Sequence, residues 1–320
     1  MIASQNKPYY KVISLFIKSV ILFLSFYYIY DKLNQSPMIL DLPVLFSAEN
    51  SLFTSAIFIL MFVNWGLEAF KWKLLIAPLE MINFQSAVKG VLAGVTISIF
   101  TPNRVGEFAG RIFFLERSDK IQATVMSLIG SFIQLSITVI AGVLAFFVLE
   151  KKYYDFFLTE QFVSTDLLLL IIVLFGFFAG IVLYIFLKKR KTSGRFAKYI
   201  ETFKKHSQKS LNVIFYLSVI RYIVFSVQYY FALRVFGING GLPIVFSLIA
   251  LTFFVTSVIP TFALTEIAVR SGVAIYFFST ISFAHAPILA ASLFLWIINL
   301  AFPALIGSVF VYKLKFFKEQ

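Results

Sequence analysis

Two short stretches of this chain place a glutamate and an arginine four residues apart, shortly after a proline. The first stretch, TPNRVGEFAGR, runs from Thr101 to Arg111. In a helix, residues four apart lie on one face, so Glu107 and Arg111 can pair there. Carboxylates can act as general acids or bases, and arginines bind anions such as phosphate. The first stretch can therefore support anion binding or proton transfer.

The second stretch repeats this pattern at Pro260, Glu266 and Arg270. The glutamate follows the proline by five residues in the first stretch and by six in the second, and the two glutamates are 159 residues apart. Such matching elements predict an internal repeat. A plainer reading stays open, in which each pair only neutralises itself so that a broken helix survives in lipid.

Both stretches are also predicted to interrupt a helix. Thr101 suits a helix N-cap and Pro102 the first turn, and Thr265 suits the cap of a half-helix that starts at Glu266. Free backbone amides at such helix starts attract anions, and Arg104 adds a full positive charge. The residues assigned to the two breaks are Thr101, Pro102, Gly106, Gly110, Pro260 and Thr265.

The composition shows where these stretches must lie. Of the 320 residues, 60% are hydrophobic, 41 are Phe and only 13% are charged. Soluble proteins are nearer 25% charged, so the chain is predicted to be an all-α polytopic membrane protein. It has no cysteine and only two histidines, which argues against thiol chemistry and a metal site. No nucleophile motif accompanies the glutamates, and we expect neither a cofactor nor a catalytic residue.

About eight hydrophobic segments follow one another along the chain. Six of them are predicted to cross the membrane fully: 13–30, 51–70, 122–149, 167–187, 211–233 and 287–312. The other two, 86–115 and 243–282, contain the interrupted stretches. Each is predicted to form a re-entrant or broken helical hairpin.

Loop charges predict the orientation. The loop 188–210 carries nine Lys and Arg residues against Glu201, so it is placed in the cytoplasm with both chain termini. Its part 188–209 is expected to contact anionic lipid headgroups. The net charge of +13 is thereby explained by the positive-inside bias of a cell (inner) membrane protein, and no nucleic-acid partner is expected.

This orientation makes each hairpin begin and end on one side, and the two hairpins enter from opposite sides. The single membrane domain 1–320 then divides into a first repeat, 1–150, and a second, 151–187 with 211–320. Inverted repeats with broken helices are typical of secondary transporters. One alternative stays open, because the arms 243–260 and 262–282 are each long enough to cross fully.

Further polar residues lie inside apolar segments. Arg221 lies near the centre of 211–233, and Asn64 and Glu68 share one helical face. Glu68 is near a helix end and is as readily explained by snorkelling to the surface. Gln134 and Asn299 are expected to bond neighbouring helices.

The string TPNRVGEFAGR, the hydropathy of the chain and its second Pro…Glu element resemble the lysylphosphatidylglycerol synthase transmembrane-region family of flippase-like integral membrane domains. The motif residues that match are Pro102, Arg104, Gly106, Glu107 and Arg111. The second stretch matches less well, because Phe262, Ala263 and Leu264 stand where the family often has glycines. The resemblance implies lipid handling, best exemplified by moving aminoacylated phosphatidylglycerol between leaflets. Since the chain ends at Gln320, we expect no aminoacyltransferase domain.

Together these observations predict a lipid translocase for an anionic, aminoacylated or polyprenyl-linked lipid. The residues expected to bind it are Arg104, Glu107, Arg111, Arg221, Glu266 and Arg270. The alternative is a membrane enzyme or an accessory factor that acts on a lipid-linked envelope precursor. The expected partner is a phospholipid or another amphiphilic lipid, and a homo-oligomer stays open.

Overall fold

The computed structural model describes residues 27, 30–31, 45, 47–101, 104–150, 202, 205–261 and 263–312. Within these ranges all regular structure is helical. The helices are α1 Ser51–Ile76, α2 Phe84–Ile99, α3 Gly106–Ile112, α4 Lys120–Glu150, α5 Gln208–Val235, α6 Leu242–Val258, α7 Ala263–Phe278, α8 His285–Trp296 and α9 Phe302–Tyr312, with a π-helical segment Ile297–Ala301 between the last two. The predicted crossing 167–187 and Pro102 lie outside the described residues. So do most of the crossing 13–30, most of the basic loop, and both chain termini.

Four helical stretches are long and apolar enough to cross a membrane: α1, α4, α5 and the continuous stretch His285–Tyr312. They coincide with the predicted crossings 51–70, 122–149, 211–233 and 287–312. These four spans and the all-helical structure support a multi-pass membrane protein.

The two interrupted segments fold as helical hairpins. Helices α2 and α3 form the first, with arms of 16 and 7 residues, and α6 and α7 form the second, with arms of 17 and 16 residues. A helix of 17 residues is about 25 Å long, which is shorter than the ~30 Å hydrocarbon core of a bilayer. The 7-residue arm is too short to cross, whereas 16–17 residues lie at the lower limit of a spanning helix, so re-entrant arms in the second hairpin stay a prediction.

Both half-helices begin at residues other than those predicted. Helix α3 begins at Gly106 and not at Pro102, because Arg104 has a left-handed backbone (φ +57°) that a helix cannot include. The Thr101 hydroxyl still accepts a hydrogen bond from the Gly106 N–H (2.8 Å) and so closes this turn. Helix α7 begins at Ala263, before Thr265, since no helix-breaking residue separates Ala263 from Glu266. Thr265 therefore lies inside the first turn of α7 and is not its cap.

The last crossing contains the π-helical segment Ile297–Ala301. Pro303 has no N–H to donate to the carbonyl four residues earlier, that of Asn299. The Asn299 side chain also donates to the Leu295 carbonyl (3.2 Å). Such π segments frequently mark functional sites, and this one places Asn299 among buried polar groups.

The packing between the two halves is reciprocal. Helix α2 of the first hairpin packs against α9, the last helix of the second half, and α6 of the second hairpin packs against α4, the last helix of the first half. A glycine allows each close approach: a Cβ at Gly307 would lie 2.1 Å from the Leu92 carbonyl oxygen, and one at Gly142 would lie 2.4 Å from the Phe254 Cβ. Two units related by a twofold axis would pack in this way. The inverted repeat stays a prediction that this reciprocity supports.

The arms of the first hairpin meet through glycines. A Cβ at Gly110 would lie 2.4 Å from the Gly94 Cα, and one at Gly94 would lie 2.5 Å from the Glu107 carbonyl oxygen. No side chain fits between the two backbones, so the small size of these two residues sets the position of the Glu107–Arg111 helix.

We expect Gly110→Ala to lower the free energy of unfolding by about 1–3 kcal/mol, because the added methyl group must push the two backbones apart. Thermal unfolding of the detergent-solubilised protein measures this change. Gly66→Ala is the matched control, since a Cβ at Gly66 would meet nothing within 4 Å. An equal melting temperature for both variants would contradict the glycine contact.

A carboxylate fixes the end of the same hairpin. Glu80, in the α1–α2 loop, accepts hydrogen bonds from the backbone N–H groups of Glu116 (3.1 Å), Arg117 (3.0 Å) and Ser118 (2.9 Å), and from the Ser118 hydroxyl (3.0 Å). Partial burial raises the pKa of the Glu80 carboxyl, but these hydrogen bonds outweigh it and hold the pKa below its usual range. The carboxylate therefore ties the loop before α2 to the loop after α3.

Candidate functional site

A cavity of about 600 Å³ lies where the tips of the two hairpins meet. Arg104 reaches it from the tip of the first hairpin, and Pro260 and Thr261 reach it from the tip of the second. Helices α1, α4 and α5 and the π-helical segment complete the walls. Elements that are far apart in the sequence thus enclose one partly polar space.

Five of the six predicted binding residues line this cavity: Arg104, Glu107, Arg221, Glu266 and Arg270. The sixth, Arg111, lies behind the wall and is almost completely buried (1% exposed). The structure thus brings the two Glu–Arg stretches together, as the predicted repeat requires. Their role in binding stays a prediction.

Glu68 of α1 pairs with three cations, of which Arg221 lines the cavity and Lys71 and Arg111 lie behind its wall. Its carboxylate is 2.7 Å from the Lys71 ammonium, 2.9 Å from the Arg111 guanidinium and 2.7 Å from the Arg221 guanidinium. Glu68 is 3% exposed, so these contacts are shielded from water. Arg111 also pairs with Glu107. One buried carboxylate therefore links α1, α3 and α5.

Sequence reasoning left Glu68 and Lys71 out of the candidate site. Glu68 does not snorkel to the surface as the alternative explanation required. The available signal was spacing, since Asn64, Glu68 and Lys71 recur at intervals of four and three residues along one face of α1.

A chain of amides continues from this cluster towards the last crossing. Asn64 accepts a hydrogen bond from Arg221 Nε (2.9 Å) and donates one to Asn299 (3.2 Å), which in turn donates to Gln228 (2.9 Å). Asn299 therefore bonds neighbouring helices, as predicted. Gln134 does the same, because its amide donates to the Ser218 carbonyl (3.2 Å). These bonds hold lining side chains of α1, α4, α5 and the π-helical segment in place.

The second hairpin contributes its own ion pair. Arg270 and Glu266 are 2.7 Å apart, with the side chains 15% and 11% exposed. The Arg270 guanidinium also lies 5.9 Å from the centre of the Phe225 ring. Unlike Glu68, Lys71 and Arg111, both members of this pair line the cavity, where a ligand can reach them.

Arg104 has the most unusual conformation at the site. Among the described residues other than glycine, it alone has a positive φ. Its Nε is buried and has no hydrogen-bond partner within the described part of the chain. Residues held in such conformations cluster at functional sites, and here the strained turn presents the arginine to the cavity.

The cavity and its cluster contain more positive than negative charge. Five basic side chains, Lys71, Arg104, Arg111, Arg221 and Arg270, stand against three carboxylates, Glu68, Glu107 and Glu266, which leaves a net charge of +2 when all are ionised. Several buried polar atoms of lining residues also have no partner among the described residues: Arg104 Nε, Arg270 Nε, Glu266 Oε2, Gln134 Oε1 and Trp296 Nε1. Buried polar groups are normally hydrogen-bonded, so the cavity is built for a polar ligand or ordered water. The net charge favours an anion.

Part of the cavity wall is apolar, formed by aromatic and aliphatic side chains. Phe225, Phe253 and Tyr222 lie beside the charged groups, and Phe225 stacks on Phe253 with ring centres 4.9 Å apart. A ligand here therefore meets both charge and apolar surface.

Residues 13–307 match the family described as lysylphosphatidylglycerol synthase TM region. The chain belongs to this family. The match covers both hairpins and the whole cavity, and it makes the chain a membrane protein related to lipid metabolism. No curated protein and no solved structure matches the chain.

Proposed function

We propose that this member of the lysylphosphatidylglycerol synthase TM region family binds the headgroup of an anionic or aminoacylated phospholipid in the cavity and moves it between leaflets. The observation that carries the proposal is the net charge of +2 around a cavity at the meeting point of two hairpin tips. Ionisable groups among membrane-spanning helices are costly and typically line a substrate path.

Five of the eight charged groups have a direct place in this proposal. Arg104 and Arg270 contact the phosphate of the headgroup, because both have an unpartnered Nε and both line the cavity. Arg221 provides a further positive charge, and Glu68 fixes its direction. The unpartnered Glu266 Oε2 accepts a hydrogen bond from a hydroxyl or ammonium group of the headgroup.

A leaflet-exchange assay tests the proposal. The protein is reconstituted in vesicles that contain a fluorescent phosphatidylglycerol, and a membrane-impermeant quencher is added outside. We expect wild-type protein to expose the protected inner-leaflet pool, which stays protected in protein-free vesicles. Protection that is equal with and without protein, for phosphatidylglycerol and for its lysyl ester, would count against translocation. Chemical turnover of the lipid in the same vesicles would instead favour the membrane-enzyme alternative.

A doubly neutral variant, Glu266→Gln with Arg270→Gln, separates a binding role from mere charge neutralisation. Glu266→Gln keeps the size of the side chain, Arg270→Gln shortens it without adding volume, and no unpaired charge of this pair stays buried. If the pair only neutralises itself, leaflet exchange by this variant equals that of wild type. We expect exchange to fall about tenfold or more while the melting temperature is retained, since hydrogen bonds to charged groups contribute roughly 1.5–3 kcal/mol.

A further inference from the structure

A second, smaller cavity lies beside the first. It is a groove of about 270 Å³ between α1, α2 and α9. Its lining is apolar and includes Trp65, Gly66, Phe84, Val88, Pro303 and Ile306. The position of a Cβ at Gly66 is open space, so the groove extends to the backbone of α1.

Trp65 joins the groove to the polar cavity. Trp65 lines both cavities. The last crossing also lines both, since it contributes Trp296 to the polar cavity and Pro303 to the groove. The Arg221 guanidinium of the polar cavity lies 5.6 Å from the centre of the Trp65 ring. The Trp65 indole N–H is buried and has no hydrogen-bond partner among the described residues. A single side chain with a free donor therefore stands between a charged space and an apolar one.

We propose that the groove holds one acyl chain of the lipid whose headgroup occupies the polar cavity, with the Trp65 N–H donating to an ester carbonyl of that lipid. This assignment rests on the proposed function. An amphiphile whose headgroup enters the polar cavity must direct its chains into an apolar space that is continuous with that cavity. The groove and the cavity lie on either side of Trp65, since Asn64 and Trp65 line the cavity and Trp65 and Gly66 line the groove. Tryptophan suits such a junction because its ring is apolar and its N–H is a donor.

This occupant differs from ordinary surrounding lipid in one respect. A chain in the bilayer already has apolar surroundings, so the hydrophobic effect does not drive it into the groove. Packing against the groove walls and the Trp65 hydrogen bond remain as attractions, and the headgroup in the polar cavity directs the chain towards them. Occupancy of the groove must therefore depend on the headgroup site, whereas contact with surrounding lipid does not.

Photo-cross-linking tests the assignment. Phosphatidylglycerol that carries a diazirine on one acyl chain is reconstituted with the protein and irradiated, and mass spectrometry quantifies adducts on residues 84–92 and 303–306. We expect Gly66→Leu to lower these adducts about fivefold or more, because the leucine side chain fills the groove and a chain no longer fits. Gly66→Ala is the control and keeps the wild-type yield, since its methyl group meets open space.

A headgroup variant distinguishes a bound lipid from surrounding lipid. We expect the doubly neutral Glu266→Gln, Arg270→Gln variant to lower the groove adducts in parallel with leaflet exchange, while adducts on the exposed residue Ile59 stay constant. Groove adducts that are unchanged in Gly66→Leu or in the doubly neutral variant would overturn the acyl-chain assignment. If wild-type protein still exchanges lipid in that case, the proposed function stands and only the acyl-chain assignment is lost. Absence of exchange by wild-type protein overturns the proposed function itself.

Discussion

Glu68→Ala is expected to lower the free energy of unfolding by about 3–5 kcal/mol, the cost of removing one partner from a buried ion pair. The carboxylate contacts Lys71, Arg111 and Arg221, and among the described residues only Arg111 retains a second carboxylate, that of Glu107. Lys71, which is 1% exposed, is left as an uncompensated charge. We therefore expect the melting temperature of the detergent-solubilised variant to fall by on the order of 10 °C.

A charge-balanced rescue separates this electrostatic cause from loss of side-chain volume. Glu68→Gln keeps the shape of the residue and removes its charge. Lys71→Met removes the more deeply buried of the two cations, Lys71 and Arg221, that pair with Glu68 alone among the described residues. The double variant has the net charge of wild type, so it should regain stability relative to Glu68→Gln alone. Equal melting temperatures for Glu68→Gln and the double variant would contradict the electrostatic explanation.

The cavity residues could be predicted from the sequence because charge inside an apolar segment is conspicuous and because the Glu–Arg pattern occurs twice. Five of the six candidates line one cavity, although they come from three separate parts of the chain and 166 residues separate Arg104 from Arg270. The repeated Glu–Arg pattern related two distant stretches of the sequence, which no local pattern could do. Residues of both hairpins were expected to bind one lipid, which requires them to lie close together, and the structure places both tips at the cavity.

Glu68 shows why the rest of the site could not be predicted in the same way. A glutamate near a helix end either reaches the surface or is buried with partners, and spacing within the helix fits both. Its partners Arg111 and Arg221 are 43 and 153 residues away, so only the packing of α1 against α3 and α5 reveals its role. The apolar groove could not be predicted from the sequence either, because its residues are of the types found in every membrane helix.

The helix starts were wrong because residue preferences were given more weight than backbone conformation. Thr101 and Pro102 are favoured at helix starts, but the left-handed Arg104 delays the first helical turn to Gly106. A positive φ at an arginine has no signal in the sequence. It follows from the tertiary structure, which holds the turn between α2 and α3 in place.

Arg104→Asn is expected to abolish most leaflet exchange without harming the fold. Among residues other than glycine, asparagine is several-fold enriched in the left-handed conformation, so it can adopt the turn that Arg104 adopts while removing the charge. Losing one hydrogen bond to a charged headgroup costs roughly 1.5–3 kcal/mol, which corresponds to a reduction in exchange of about tenfold to a hundredfold. The leaflet-exchange assay measures this reduction, and the melting temperature reports on the fold.

Two further substitutions at the same position decide between charge and backbone as the cause. Arg104→Gly removes the charge and relieves the left-handed strain, so it should lose exchange to the same extent as Arg104→Asn. Arg104→Lys keeps the charge and loses the planar guanidinium, so we expect it to retain an intermediate activity. If exchange instead survives in Arg104→Asn and Arg104→Gly, the turn positions some other group, and the anion is held by Arg221 and Arg270. If all three variants lose exchange equally, the guanidinium geometry matters more than the charge, which is the result expected for a two-point contact with phosphate.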